Sequence, residues 1–129
     1  MEGVILTLLK HMPVRTAAKE IGEHDTRLWR VLNFYVQDAK LGRSFSDVEA
    51  IGVDEYSHKG HDYITVFLSH PTERTPAARV LDIEDGKGKD TVETFSDVFS
   101  LFHGNVDKVT DITSDLCHGY RNGMQKAFN

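Results

Sequence analysis

The sequence has one cysteine, three prolines and no long apolar run, and each of these scarcities excludes a class of protein. A single cysteine, Cys117, cannot form an internal disulfide framework or supply the paired thiolates of a zinc finger. The apolar runs are only a few residues long, which is too short for a transmembrane helix or a secretory signal core. We therefore expect a cytosolic protein with no membrane partner.

Positive charge is also scarce overall, but it is unevenly placed. The 129 residues carry a formal net charge of −5, which argues against a basic coat that wraps nucleic acid. Residues 10–43 hold seven Lys or Arg against four Asp or Glu, whereas residues 51–129 hold eight against thirteen. This asymmetry favours a small basic module ahead of an acidic domain.

Residues 1–43 have helical periodicity and form the first predicted unit. Pro13 suits the start of a short helix, and Gly22 stands where that helix stops. Asp25 or Thr26 would cap a longer helix. Its apolar positions recur every three or four residues: Leu28, Trp29, Leu32, Tyr35 and Val36. Two helices joined by a tight glycine turn are typical of a helix-turn-helix, with a plain helical hairpin as the alternative.

The second helix of this pair would expose three polar residues, Arg27, Arg30 and Asn33. Arginine and asparagine are residue types that contact DNA phosphates and base edges. These three are therefore the candidate DNA contacts, while a solvated basic face is the alternative. The polar residues 44–50 that follow are predicted to be a linker.

Residues 51–129 change to a strand-rich pattern in the order β-β-β-α-β-α. An acidic pair, Asp90 and Glu93, predicts a capping box at the start of the first helix. The core face of that helix would hold Val92, Phe95, Val98, Phe99 and Phe102. The predicted strands are residues 50–57, 63–69, 78–84 and 108–116, and a last helix begins at Tyr120. An antiparallel meander followed by a parallel crossover predicts an α/β fold whose second part opens like a ribonuclease H-like domain.

Two aspartates stand out because they end or interrupt apolar strands. Asp54 follows Ile51-Gly52-Val53, and Asp115 follows the fourth predicted strand. If the first and fourth strands are neighbours, the two carboxylates meet and repel each other unless a cation lies between them. Oxygen ligands suit Mg²⁺ or Mn²⁺. The alternative is that both residues only cap strand ends.

Four segments together resemble the ISL-three-type insertion-sequence transposases. Two segments of this chain resemble the first part of the catalytic domain in that family. The first catalytic strand and hairpin correspond to IGVDEYSHKGHDYITVF, and the glycine-then-helix segment that follows corresponds to DGKGKDTVETFSDVF. The second catalytic strand resembles VTDITSDLCHGYRNGM, and the helix-turn-helix resembles PVRTAAKEIGEHDTRLWRVLNFYV. The resemblance covers roughly residues 13–129.

The resemblance implies a DDE transposase that cleaves and transfers DNA strands with Mg²⁺ or Mn²⁺. It assigns the first two acids to Asp54 and Asp115 as catalytic metal ligands, and the DNA contacts to Arg27, Arg30 and Asn33. The third acid, a Glu further along, has no counterpart here, so we expect a transposase fragment that lacks strand transfer. The alternative is a non-catalytic DNA-binding module or repressor. The implied partner is DNA at the element ends, with self-association as a further option.

Overall fold

The computed structural model describes residues 1–58, 60, 62–114 and 118–128. Over those residues it has five α-helices and four β-strands, in two compact units, Met1–Arg43 and Ser44–Asn129. Three helices come first, followed by three strands, a helix, a fourth strand and a last helix. The predicted α/β class is confirmed.

The first unit contains α1 (Glu2–Leu9), α2 (Val14–Ile21) and α3 (Asp25–Leu41). Gly22 ends α2 in the left-handed conformation, with φ of 69°, which favours glycine because it has no Cβ. The backbone N–H groups of Gly22 and Glu23 donate to carbonyl groups in the last turn of α2. The predicted arrangement of helix, tight glycine turn and helix is confirmed.

The core of the first unit is small because its helices differ in length. By helix geometry α3 is about 25 Å long, against about 12 Å for each of the other two helices, so they cover only part of it. Trp29 is 49% exposed and Val36 is 44% exposed, so their predicted place on the apolar face was wrong. The buried residues of this unit are Ile5, Ala17, Ala18 and Leu28.

The second unit is built on β1 (Ala50–His58), β2 (Asp62–Ser69), β3 (Arg79–Asp85) and β4 (Asp111–Ser114). Their order in the sheet is β3-β2-β1-β4. The first three strands pair antiparallel, and β4 pairs parallel to β1, with Ile51 opposite Ile112 and Val53 opposite Ser114. The predicted meander and parallel crossover, with the first and fourth strands adjacent, are confirmed.

Two helices, α4 (Lys89–Leu101) and α5 (His118–Phe128), cover one face of this sheet. The rings of Phe67 on β2 and Phe95 on α4 stack with their centroids 3.9 Å apart. Phe45 and Val48, from the segment predicted as a linker, are buried in the same core. The predicted apolar face of α4 is confirmed, since its five residues are all buried in this core or packed against it.

Some predicted boundaries were wrong for local reasons. The strand expected over residues 108–116 begins only at Asp111, because Val106–Lys108 form a 3₁₀ turn. The side chain of Asn105 stabilises that turn by accepting a hydrogen bond from the Asp107 N–H at 3.0 Å. Ile112, an apolar residue of that predicted strand, is 36% exposed. The end of the predicted strand, residues 115–116, lies outside the described residues.

The predicted side-chain caps of two helices were also wrong. The N-cap of α3 is His24, and that of α4 is Gly88 with φ of 101°. Neither cap makes a side-chain hydrogen bond. Asp25 and Asp90 lie instead in the first helical turn, where a negative charge complements the helix dipole.

Candidate functional site

The two faces of β1 differ in chemistry. Ile51 and Val53 point into the helix-covered core, where they are 0% and 4% exposed. Asp54 alternates with them and is only half-buried. The carboxylate therefore lies on the sheet face opposite the core, which spares it the cost of full desolvation.

A cavity of about 400 Å³ opens beside Asp54. Its lining comes from three strands and the residue after β2: Gly52, Val53, Asp54, Leu68, His70, Thr113 and Ser114. The space is large enough for several water molecules or a phosphate group, and polar groups from β1, β2 and β4 converge on it. This cavity is the candidate site.

The carboxylate of Asp54 is oriented by local contacts. Its Oδ1 accepts a hydrogen bond from the Glu55 N–H at 3.0 Å. Tyr56, two residues along β1, also interacts with it: a hydrogen bond to Asp54, and then the negative charge of that carboxylate, raise the pKa of the Tyr56 phenol above its ordinary value. The carboxylate of Asp54 and the phenol of Tyr56 therefore interact electrostatically.

Asp115, the second predicted acid, lies outside the described residues. The register pairs the residues that precede the two predicted positions in the sequence. Val53 and Ser114 are partners in the parallel β1–β4 pair. Each of them immediately precedes one of the two aspartates in the sequence.

The predicted DNA contacts all lie on α3, away from its buried Leu28. Arg27, Arg30 and Asn33 are exposed. The guanidinium of Arg27 pairs with the Glu23 carboxylate at 2.5 Å. An exposed pair of this kind contributes little to stability, so the arginine can exchange its partner for a phosphate at small cost.

The donor set of the cavity suits a hard divalent cation, although it is not complete within the described residues. Among these residues, no group of three or more His, Cys, Asp or Glu is placed to hold a metal ion. Asp115 lies outside those residues. Asp54 places a half-buried carboxylate in this cavity, and carboxylate oxygen is the ligand type that Mg²⁺ and Mn²⁺ prefer.

The sequence reasoning missed two residues that the structure places at this site, His70 and Thr113. His70 is the first residue after β2, and Thr113 faces the same cavity from β4. The signal that was available is Gly52, because a glycine inside a strand often marks the close approach of another group. Finding which group approaches requires the fold.

A second cavity, of about 320 Å³, lies between the segment 47–49 and the loop after β2. Its charged side chains are already paired with each other. Arg79 contacts Asp47 at 2.6 Å, and Arg74 lies 3.5 Å from Glu49. This mutual pairing makes the second cavity a weaker candidate than the cavity beside Asp54.

Family comparisons match nearly the whole chain. Residues 51–129 match a family model described as a transposase, for the DDE domain of family ISL3. Residues 1–36 match the model of the helix-turn-helix domain of transposase family ISL3. The comparisons with curated proteins and with solved structures return no match. Within the described residues, no helix has the length and apolar content to cross a membrane.

Proposed function

The chain belongs to transposase family ISL3, and from this membership we propose that it acts on DNA through a DDE-type, ribonuclease H-like unit and a DNA-binding helix-turn-helix. The observation that carries the proposal is the parallel β1–β4 register. It makes Val53 and Ser114 partners, one residue before Asp54 and one residue before Asp115. The adjacent cavity provides room for a phosphodiester beside these positions.

We assign Asp54 and Asp115 as the carboxylates that bind the catalytic Mg²⁺ or Mn²⁺. When bound, the cations supply activation of a water molecule and stabilisation of the leaving oxygen of a phosphodiester. The contact between Oδ1 of Asp54 and the Glu55 N–H holds the carboxylate in one orientation, which favours ligation. No Asp or Glu follows Asp115 in this sequence, so the proposal assigns two of the three DDE acids.

We assign DNA binding to the exposed face of α3. Arg30 and Asn33 are exposed there, and Arg27 becomes available once it leaves Glu23. The net charge of +3 over residues 10–43 supports attraction of this unit to phosphates. The proposed partner is DNA at the ends of the element, and the proposed location is the cytosol.

The test combines metal binding with DNA binding in one set of variants. The affinity of the full chain for Mn²⁺, measured by electron paramagnetic resonance, should fall at least tenfold in Asp54→Asn. The matched control is Glu55→Gln, which alters the neighbouring carboxylate on the opposite face of β1 and should retain Mn²⁺ affinity. Nicking of supercoiled plasmid in Mn²⁺ should follow the same order.

DNA binding is measured with a duplex from the region flanking the gene and a random-sequence competitor. Arg30→Ala should weaken binding and lower the slope of log affinity against log salt by about one. Asp54→Asn should leave that slope unchanged. Salt-dependent DNA binding without Mn²⁺ binding by the unaltered chain would overturn the metal assignment and favour the alternative, a non-catalytic DNA-binding module or repressor.

A further inference from the structure

The imidazole of His70 occupies a defined place above β1, fixed first by its backbone. The His70 N–H donates to the carbonyl oxygen of Ala50 at 3.0 Å, so the chain that leaves β2 stays beside the start of β1. Just before it, the hydroxyl of Ser69 accepts a hydrogen bond from the Arg79 N–H at 3.2 Å. These two hydrogen bonds hold the end of β2 to the start of β1 on one side and to the start of β3 on the other.

Gly52 provides the space for the imidazole ring. A Cβ at this position would lie 2.7 Å from Nε2 of His70, which is closer than real Cβ contacts, and 3.1 Å from its Cε1, which is a tight contact. Any other residue at position 52 would therefore displace the ring. The glycine in the middle of β1 and the histidine after β2 form one packing unit.

The ring reaches across β1 to the fourth strand. Its Nε2 lies 2.5 Å from Oγ1 of Thr113, a hydrogen bond between side chains that are 43 residues apart. Gly52 and Thr113 are register partners, so the imidazole bridges the β1–β4 pair directly over the gap left by the glycine. The strand it reaches has four residues, all exposed, at the edge of the sheet.

We propose that His70 is a positioning residue that, through Thr113, fixes the carboxyl end of β4 relative to Asp54. This inference rests on the proposed function, since the end of β4 immediately precedes Asp115, the second proposed metal ligand, in the sequence. Thr113 is followed by Ser114, which lines the same cavity as Asp54, and then in the sequence by Asp115. A shift of Thr113 therefore moves the part of the cavity wall that β4 contributes.

The test uses substitutions that break the hydrogen bond with little change in shape. Thr113→Val removes the hydroxyl in an isosteric side chain, and Thr113→Ser retains it. Mn²⁺ binding to the full chain, measured by electron paramagnetic resonance, should weaken about tenfold or more in Thr113→Val and in His70→Ala, as expected when an outer-shell partner of a ligand is lost. Thr113→Ser should bind Mn²⁺ within about twofold of the unaltered chain, a rescue that packing alone does not predict.

Gly52→Ala gives an independent way to displace the ring. It should weaken Mn²⁺ binding as His70→Ala does, and in a His70→Ala background it should add no further loss, because the two changes remove the same contact. Amide hydrogen exchange at Thr113 and Ser114 should accelerate in His70→Ala while exchange in β2 stays unchanged.

The outcomes separate this inference from the proposed function. If Asp54→Asn loses Mn²⁺ binding while Thr113→Val retains it, the positioning role is wrong and the metal assignment stands. If Asp54→Asn has no effect on Mn²⁺ binding, the metal assignment is wrong and the inference falls with it. Should His70→Ala fail to fold, the Val and Ser variants at position 113 still decide the question.

Discussion

The two units bury their cores by different means. The three-helix unit buries four residues, two of which are alanines. Among the described residues, the apolar core of the sheet unit holds eleven, and five of them are phenylalanines: Phe45, Phe67, Phe95, Phe99 and Phe128. Since hydrophobic stabilisation scales with buried apolar area, the sheet unit has the larger reserve against substitution. The stability of the helical unit therefore depends on very few side chains.

The largest expected effect is in the sheet unit. Phe95→Ala should lower the free energy of unfolding of this unit by about 3–5 kcal/mol, because Phe95 is fully buried and stacked on Phe67. Urea denaturation followed by amide NMR signals of the strands measures it. Leu101→Ala, at a position that is 73% exposed, is the control and should change stability by no more than about 0.5 kcal/mol. Simultaneous loss of the α1–α3 signals would show that the two units unfold together, which would contradict a difference in their stabilities.

A smaller change in free energy should suffice to unfold the helical unit. Leu28→Ala should lower its stability by about 2–3 kcal/mol, since Leu28 is fully buried and short helices can close partly over the cavity. For a 43-residue unit this is a large share of the total. Helical NMR signals of residues 1–43 should be lost while strand signals persist. Leu41→Ala, at a position 78% exposed, serves as the matched control, and equal losses in both variants would contradict the prediction.

The smallest expected effect is a change in the pKa of one tyrosine. It is measured against a second tyrosine in the other unit. The hydroxyl of Tyr35 donates to the Glu2 carboxylate at 2.7 Å, and this bond, followed by the negative charge, raises the pKa of Tyr35. A phenol whose pKa is higher in the folded state stabilises that state at pH values below its pKa in the unfolded chain. This contribution is lost as the pH rises through the pKa of the folded state.

Glu2→Gln should therefore return the pKa of Tyr35 toward its ordinary value, as followed by tyrosine NMR signals during a pH titration. Tyr56, whose pKa is raised by Asp54 in the other unit, is the internal control and should not change. A change in both tyrosines, or in neither, would contradict the assignment.

The sequence predicted the elements whose periodicity reflects burial. The face of α4 followed from apolar spacing, because one side of the helix packs against a core. Trp29 and Val36 were misplaced because apolar spacing along α3 does not reveal which side of the helix meets its partners. The late start of β4 was missed because the Asn105 side chain stabilises a competing turn.

The candidate site was predictable only in part. Asp54 was identifiable as a carboxylate within an apolar strand. The contact between His70 and Thr113 was not, because it joins residues that only the pairing of β4 with β1 brings together. Side chains that act across strands leave no local pattern in a sequence.

The parallel pairing of β1 with β4 also has a consequence for the order in which the chain folds. The β1–β2 hairpin closes between His58 and Asp62, whereas Ala50 meets Asp111 only after some sixty intervening residues have been arranged. Closing the longer loop costs more chain entropy, so local pairs form early and distant ones late. The edge strand beside Asp54 is thus expected to join last, when β1, β2 and β3 already form a template for it.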